Sequence, residues 1–595
     1  MGASPQGRGA APLEATRTAA ENGDAAAQFR LGMMFAAGRE VPKNLTNAIA
    51  WLHKSAEQGN ASAQFNLAVF YSQGTGVTQD FAEAARWFRK AAEQGDKSAQ
   101  YNLAMLILNG ATGAPDPAEA VKWLRAAAQQ GDLSAQMNLA PLLVKGQGVA
   151  VDLPEAYLWF SAAKAQGSTD AENLRDEVLG RMTRSQIADG RQRNAMRGDT
   201  EDQYAFGVAC AKGDGVKQDF AEAAKWFRAA ADKGQADAQL KLGLACASGE
   251  GVPQDLAQAA KWIRRSAEQG HIIAQFHLGI LCSEGRGVAR DDTEALKWLR
   301  KAASQGVVAA QVRAGLMCLR GAGTVTNAAE AAKWFRKAAE RDDPSAQLNL
   351  GLLFDKGQGV KQDWAEAAKW FRTPAERGNA EAQLRLAMLH EQGKGVPQSR
   401  SEAREWYRRA AEQGHAKAQC RLGLLLTQPG VMNLEEAARW FRKAAEQGEP
   451  IAQFNLGALL DTGRGAKQDF AEAAKWYRAA AAKGHALAQF NLGYLCEAGQ
   501  GIARNPAEAV RWYRLAAEQK EPKAEYALGL CLADGQGAAQ DLVEAYKWIS
   551  LASAHGHRPA TDFKEALEKR LTPEQKAKGQ QLANTVLERP GVPPN

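Results

Sequence analysis

Seven cysteines, eight histidines and a Gly-x-Gly that returns many times are the parts of this 595-residue chain from which chemistry would be built. Thiolates act as nucleophiles, His and Cys at short spacing hold zinc, and glycine loops cradle phosphate. The spacing argues against each. Cys210, Cys246, Cys282 and Cys318 stand 36 residues apart, and Cys496 shares their position, which other stretches fill with Phe35, Tyr71, Phe354 or Leu460. A position open to Phe, Tyr, Leu and Cys is an apolar one. His53, His277, His390, His555 and His557 keep no zinc-ligand spacing with cysteines or carboxylates. The loops at Gly146/Gly148, Gly213/Gly215, Gly249/Gly251 and Gly285/Gly287 lack the Gly-x4-Gly-Lys-Ser/Thr pattern of a phosphate cradle and read as turns. No Ser/His/Asp or Cys/His set stands out, so no catalytic residue, metal site or cofactor is expected.

These residues recur because the chain itself does. From Trp51 to Trp548, fourteen tryptophans mark a period: eleven of the thirteen intervals are 36 residues, one is 34 and one is 67. A fixed period between about 20 and 50 residues signals a repeat architecture. In the stretch 63–95, Gln64, Leu67, Phe70 and Tyr71 have the three-and-four spacing of a helix with one apolar face, helix A. Gly74-Thr75-Gly76-Val77 stops it, because glycine supplies the left-handed backbone a helix end favours. Asp80 then opens helix B with a carboxylate suited to capping free amides, and Glu83 is placed to complete a capping box. Phe81, Ala84, Trp87, Phe88 and Ala91 form its apolar stripe. Mid-helix glycine at Gly32, Gly207, Gly243, Gly279 and Gly351 costs roughly 1 kcal/mol against alanine, and close approach of helix B is the expected reason.

Ala84 and Phe88 on helix B, with Leu67 and Tyr71 on helix A, match the tetratricopeptide pattern of helix–turn–helix units. With its longer turn holding Gly-x-Gly-Val and its 36-residue period, the chain resembles the Sel-one-like repeats over residues 24–556, apart from one gap. The resemblance implies an all-α fold, an α-α superhelical solenoid of helix–turn–helix repeats. It also implies a non-catalytic adaptor or scaffold whose partners are other proteins or peptide segments. As in tetratricopeptide repeats, helix A would line a concave face at one, five, eight and nine residues beyond the Gln. In the first repeats this gives Phe29, Met33, Phe65, Val69, Tyr101, Met105 and Met137, an apolar groove suited to an apolar or helical segment. Later repeats add Asp355, Glu391, Asp461, Glu497 and Asp534, suited to a basic peptide. Positions one and five have the competing option of packing against neighbouring repeats. Some relatives are secreted and staple each repeat with two cysteines; the second is missing throughout, so no disulfide framework is implied.

Basic residues flank the tryptophans, as in Arg86, Arg89 and Lys90 or Lys333, Arg336 and Lys337, and go with a net charge of +7. Glu83, Glu93 and their equivalents interrupt them, so a salt-bridged, solvated face is expected and nucleic acid is not.

Along the chain, residues 1–23 read as a disordered tail, to about residue 10, plus a half-repeat helix. Repeats 1–4 occupy 24–167, residues 168–198 break the period, and repeats 5–14 occupy 199–556. Residues 557–588 follow, and 589–595 form a second disordered tail. The two irregular segments are copies: Arg181, Thr183, Gln186, Ala188 and Gly190 align with Arg570, Thr572, Gln575, Ala577 and Gly579. End repeats need a cover for their apolar face, so both segments are read as helical caps, the first also a linker between two arrays. The parts on either side of residue 198 are then expected to fold independently. No run of eighteen apolar residues occurs, so no membrane span is expected. The sequence as it stands lacks the apolar centre of a secretion signal, which places it in the cytoplasm. A start further upstream would make it a periplasmic or envelope protein, with cell-wall or exopolysaccharide glycan as the alternative ligand. A hydrolytic enzyme is the remaining alternative, and no motif supports it.

Overall fold

A computed structural model describes residues 10–588 of the chain. The two tails expected to be disordered lie outside the described residues, except for Ala10, which begins the first helix. Two compact units divide between Trp298 and Leu299. Among the described residues there are 33 helices and no strand.

Each repeat is two antiparallel helices whose ends are set by the residues the period brings back. Helix A of the second repeat, Ala61–Gln73, starts under Asn60, whose side chain accepts from the Ala63 amide. It ends at Gly74, whose φ of 66° lets its N–H turn back to the Phe70 carbonyl. Helix B, Phe81–Glu93, starts under Asp80, which accepts from the amides of Ala82 and Glu83. The other half of the expected capping box is not made: the Glu83 side chain turns outward and accepts from Arg86 at 3.1 Å. Reciprocal boxes are found where the chain leaves the period, at Thr183/Gln186 and Thr572/Gln575. Leu67, Ala84, Trp87, Phe88 and Ala91 are buried together, as their spacing predicts, whereas Phe81, expected in the same stripe, is exposed at the first position of helix B.

Glycine acts at two distances. Mid-helix, a Cβ on Gly243 would lie 2.6 Å from Ile263 and 3.1 Å from the Ala259 carbonyl, so helix B does press on helix A there. In the loop, the second glycine joins one repeat to the one before it. A Cβ on Gly251 would stand 2.0 Å from the Phe220 carbonyl at the start of the preceding helix B, and its φ of 72° is itself unfavourable for other residues.

The half-repeat helix Ala10–Glu21 serves as a helix B, since Gln28 donates to its Ala20 carbonyl as later glutamines do to theirs. Residues 168–198 form two helices, Thr169–Arg181 and Arg184–Met196. The second packs on helix B of repeat 4, Leu153–Ala165, with Gly190 against the Tyr157 ring. It is also the seat of repeat 5. Gln203 donates to the Ala195 carbonyl, a Cβ on Gly215 would meet the Arg184 carbonyl at 2.1 Å, and buried Asp202 accepts from both Tyr157 and Asn194. The packing therefore runs through residue 198 without an end. The copy at 557–588, helices Arg558–Glu568 and Pro573–Leu587, lies on helix Leu542–Ala554 in the same way, with Gly579 against Tyr546.

Candidate partner-binding surface

Most polar groups in the repeats are used between helices, and the surface is what they leave over. The glutamine of helix A is buried in every repeat that has one. Gln64 donates to the Ala56 carbonyl at 3.0 Å and accepts from Gln94 Nε2 at 2.7 Å, which ties it to the end of its own helix B. The same pair returns as Gln28/Gln58, Gln100/Gln130, Gln239/Gln269 and Gln489/Gln519. Where Lys233, Arg341, Arg377 or Lys483 replaces the outer glutamine, the cation goes to a backbone carbonyl of the preceding turn. The buried Oε1 of Gln203, Gln311, Gln347 and Gln453 is then left without a hydrogen-bond partner. Repeat 14 alone carries a carboxylate here: Glu525 is fully buried, faces His555 Nδ1 at 2.9 Å, and has its pKa raised by burial. This ladder was readable in principle, because Gln holds its place in thirteen of the fourteen repeats.

On helix B the glutamate four residues before the tryptophan serves it in most repeats, Trp87 being an exception whose buried N–H has no partner. Trp159 donates to Glu155, Trp298 to Glu294 and Trp476 to Glu472. Each glutamate also takes an arginine from the preceding repeat: Arg125 reaches Glu155 at 2.7 Å, and Arg264 grips Glu294 with both terminal nitrogens. The bond from Arg264 holds the Glu294 carboxyl down at about 2. Lys90, Arg265 and Lys337 lie over the rings of Trp87, Trp262 and Trp334 at 4.2, 4.6 and 5.0 Å. The arginine position becomes Ser161 in repeat 4 and Ser550 in repeat 14, where an irregular helix pair follows and no repeat glutamate is there to receive it.

The residues nominated on helix A share one face. Phe29, Met33, Phe65, Val69, Tyr101 and Met137 are half-buried and rest on the core of their unit, Phe65 with its ring tilted on Phe88 at 5.6 Å; Met105 is half-buried beside them. The later acids sit differently. Glu391, Asp461 and Glu497 accept the hydroxyls of Tyr407, Tyr477 and Tyr513 at 2.6, 3.2 and 2.7 Å, and Asp534 takes Arg570. Burial pushes the three phenols up and keeps them protonated donors. Asp355 lies opposite Phe371, which has no hydroxyl to give. The coincidence of Tyr after Trp with an acid on helix A was visible in the sequence, and its meaning needed the pairing. All seven cysteines are buried and free, and burial pushes Cys210 and Cys282 up to about 11 and Cys420 to about 12, which disfavours their thiolates. Among the described residues no cluster of three His, Cys, Asp or Glu side chains is placed to hold a metal ion, and no helix is long and apolar enough to cross a membrane.

Two cavities open on the helix A face. In the first unit one of about 560 Å³ lies between helices Thr200–Lys212 and Ala236–Ser248, over Phe220 and Phe227. In the second, one of about 260 Å³ is lined by Leu384, Met388, Leu424 and Ile451 with Arg385, Lys417 and Arg421.

Fourteen successive matches to the Sel1 repeat, at residues 25–168 and 200–557, coincide with these helix pairs. The chain belongs to the Sel1 repeat family. Among solved structures, the Sel1 repeat chain is similar to a protective antigen of uropathogenic Escherichia coli with an SLR fold, at 30% identity over 91% of this chain and 94% of that one, with a TM-score of 0.46. It is also similar to a Sel1 repeat protein from Oxalobacter formigenes, at 30% identity over 58% and 90% of the two chains, with a TM-score of 0.31. No curated protein matches it. Sel1 repeat solenoids are in general protein-interaction modules, because stacked helix pairs present long surfaces for other chains.

Proposed function

We propose that this Sel1 repeat protein is a non-catalytic adaptor that holds segments of other proteins against the helix A face of its repeats. One observation carries the reading. The cysteines are buried, and Tyr407, Tyr477, Tyr513, the ladder glutamines and glutamates such as Glu155 and Glu294 are engaged within or between repeats, whereas Phe29, Met33, Phe65, Val69, Tyr101, Met105 and Met137 form an apolar stripe that is half open to solvent. A stripe of this kind suits an apolar or helical segment, which gains affinity by covering it. The acids at Glu391, Asp461, Glu497 and Asp534 favour a basic segment less, since each already has an internal partner.

The test is selection of a random peptide library on the full chain, followed by titration of enriched peptides against variants. Met105→Asp or Leu424→Asp, on the helix A face, should weaken at least one enriched peptide by about tenfold or more, equivalent to roughly 1.4 kcal/mol. Arg86→Glu and Lys261→Glu, on helix B, should leave binding intact. A library that yields nothing, or binding lost only in the helix B variants, would remove the adaptor reading.

A further inference from the structure

We propose that the cavity of repeats 5 and 6 is the seat for a short acidic segment of a partner protein that carries large apolar side chains. This rests on the adaptor reading and narrows it. The cavity exists because of two small residues. Ala211 and Ala247 stand eight places after the helix A glutamine, where Leu108, Val144, Asp355 and Glu391 stand in other repeats. With nothing longer there, a space of about 560 Å³ opens over Val208, Phe220, Phe227 and Leu244. That volume falls in the range of about 300–1,000 Å³ typical of binding sites. Phe220 is 40% exposed, which is apolar surface left for an occupant to cover.

The rim selects by charge. Lys212, Lys241 and Arg286 surround the apolar floor, with Glu250 as the single acid of the lining. Among the described residues neither Lys212 nor Lys241 has an ion-pair partner, and both are exposed. Lys241 sits two places after the glutamine, where the repeats on either side have Ala205 and His277 and the smaller cavity of the second unit has Arg385 and Arg421. A basic segment would meet repulsion from the rim, and a purely apolar one would leave the lysines unused. A carboxylate-flanked apolar segment satisfies both, the floor supplying affinity and the rim supplying steering and register. The smaller cavity of the second unit has the same make-up, with Arg385, Lys417 and Arg421 set against Glu449.

The test compares random-peptide selection on the wild-type chain, on the double variant Lys212→Glu with Lys241→Glu, and on a control of equal net charge, Lys97→Glu with Lys361→Glu. Wild type and control should enrich peptides rich in Asp or Glu together with Leu or Phe, and the rim variant should not. By fluorescence anisotropy, an enriched acidic peptide should bind the rim variant at least tenfold more weakly. Ala247→Trp, which fills the cavity without changing charge, should weaken it as well. Acidic peptides enriched equally by the rim variant, or undiminished binding to Ala247→Trp, would overturn the assignment. Enriched peptides that depend on the helix A face yet are neutral or basic would sink this cavity's role and leave the adaptor reading standing, whereas an empty selection would sink both.

Discussion

Glu525 is the position where the glutamine ladder carries a charge, and it shows what an amide is worth there. The other thirteen repeats have Gln at this site, a neutral group that donates to a carbonyl of the preceding helix B and, where the outer glutamine is kept, as at Gln64, also accepts from its own. A carboxylate cannot donate, and burial raises its pKa above the unfolded value of 4.5. The folded chain therefore holds this proton more tightly than the unfolded one. The contribution favours folding below pH 4.5 and is lost as pH rises through the raised folded value. Glu525→Gln should stabilise the second unit at neutral pH by about 1 kcal/mol, through a bond to the Ala517 carbonyl like that of Gln489 to Ala481. The gain should shrink as the pH is lowered from the raised folded value towards 4.5 and change no further below it; urea titrations at pH 4 and pH 7.5 read the difference. The tyrosine–acid pairs carry the same lesson. Glu391 and Glu497, expected to face a partner, each also accept a tyrosine hydroxyl from their own repeat.

At the scale of the element, boundaries were largely legible. Asn and Asp caps, left-handed glycines and the apolar stripe lie where the period puts them, because each depends only on neighbours along the chain. The capping box failed because these glutamates have stronger partners than a backbone amide: Arg86 of the same helix for Glu83, and for Glu155 the tryptophan N–H four residues on together with an arginine from another repeat. Local sequence cannot announce a competitor that arrives from elsewhere. The second loop glycine was legible as a turn, while its contact with the previous repeat was not. Gly251→Ala should cost about 2–4 kcal/mol, through backbone strain at positive φ and overpacking against Phe220. Gly23→Ala, at a comparable positive φ but with open space around it, should cost only the strain, about 1–2 kcal/mol. Equal losses in denaturant melts of the two variants would show that the loop does not transmit stacking.

For the whole molecule, the chain position that matters is residue 198. Cutting there would part Tyr157 and Asn194 from Asp202 and the Ala195 carbonyl from Gln203, so a fragment 199–595 should have a loosened first helix. By hydrogen exchange the amides of Thr200–Lys212 should lose about tenfold or more of their protection, the equivalent of one buried bond of roughly 1.4 kcal/mol. A fragment beginning at Thr183 keeps the seat helix and should recover part of it. Unchanged protection in 199–595 would show that the two arrays are independent after all. What the sequence determined by itself was the repeat: its period, its two helices, their stops and their buried stripe, since a 36-residue module written fourteen times over averages away local ambiguity. What only the tertiary structure decided was where each polar group goes and where space remains. The same irregular segment is a seat for repeat 5 at 168–198, while at 557–588 no described repeat follows it. Two alanines make a cavity only because the helices beside them are held at a fixed distance by the close approaches at Gly207, Gly243 and Gly251 and by the bonds of Gln203 and Gln239.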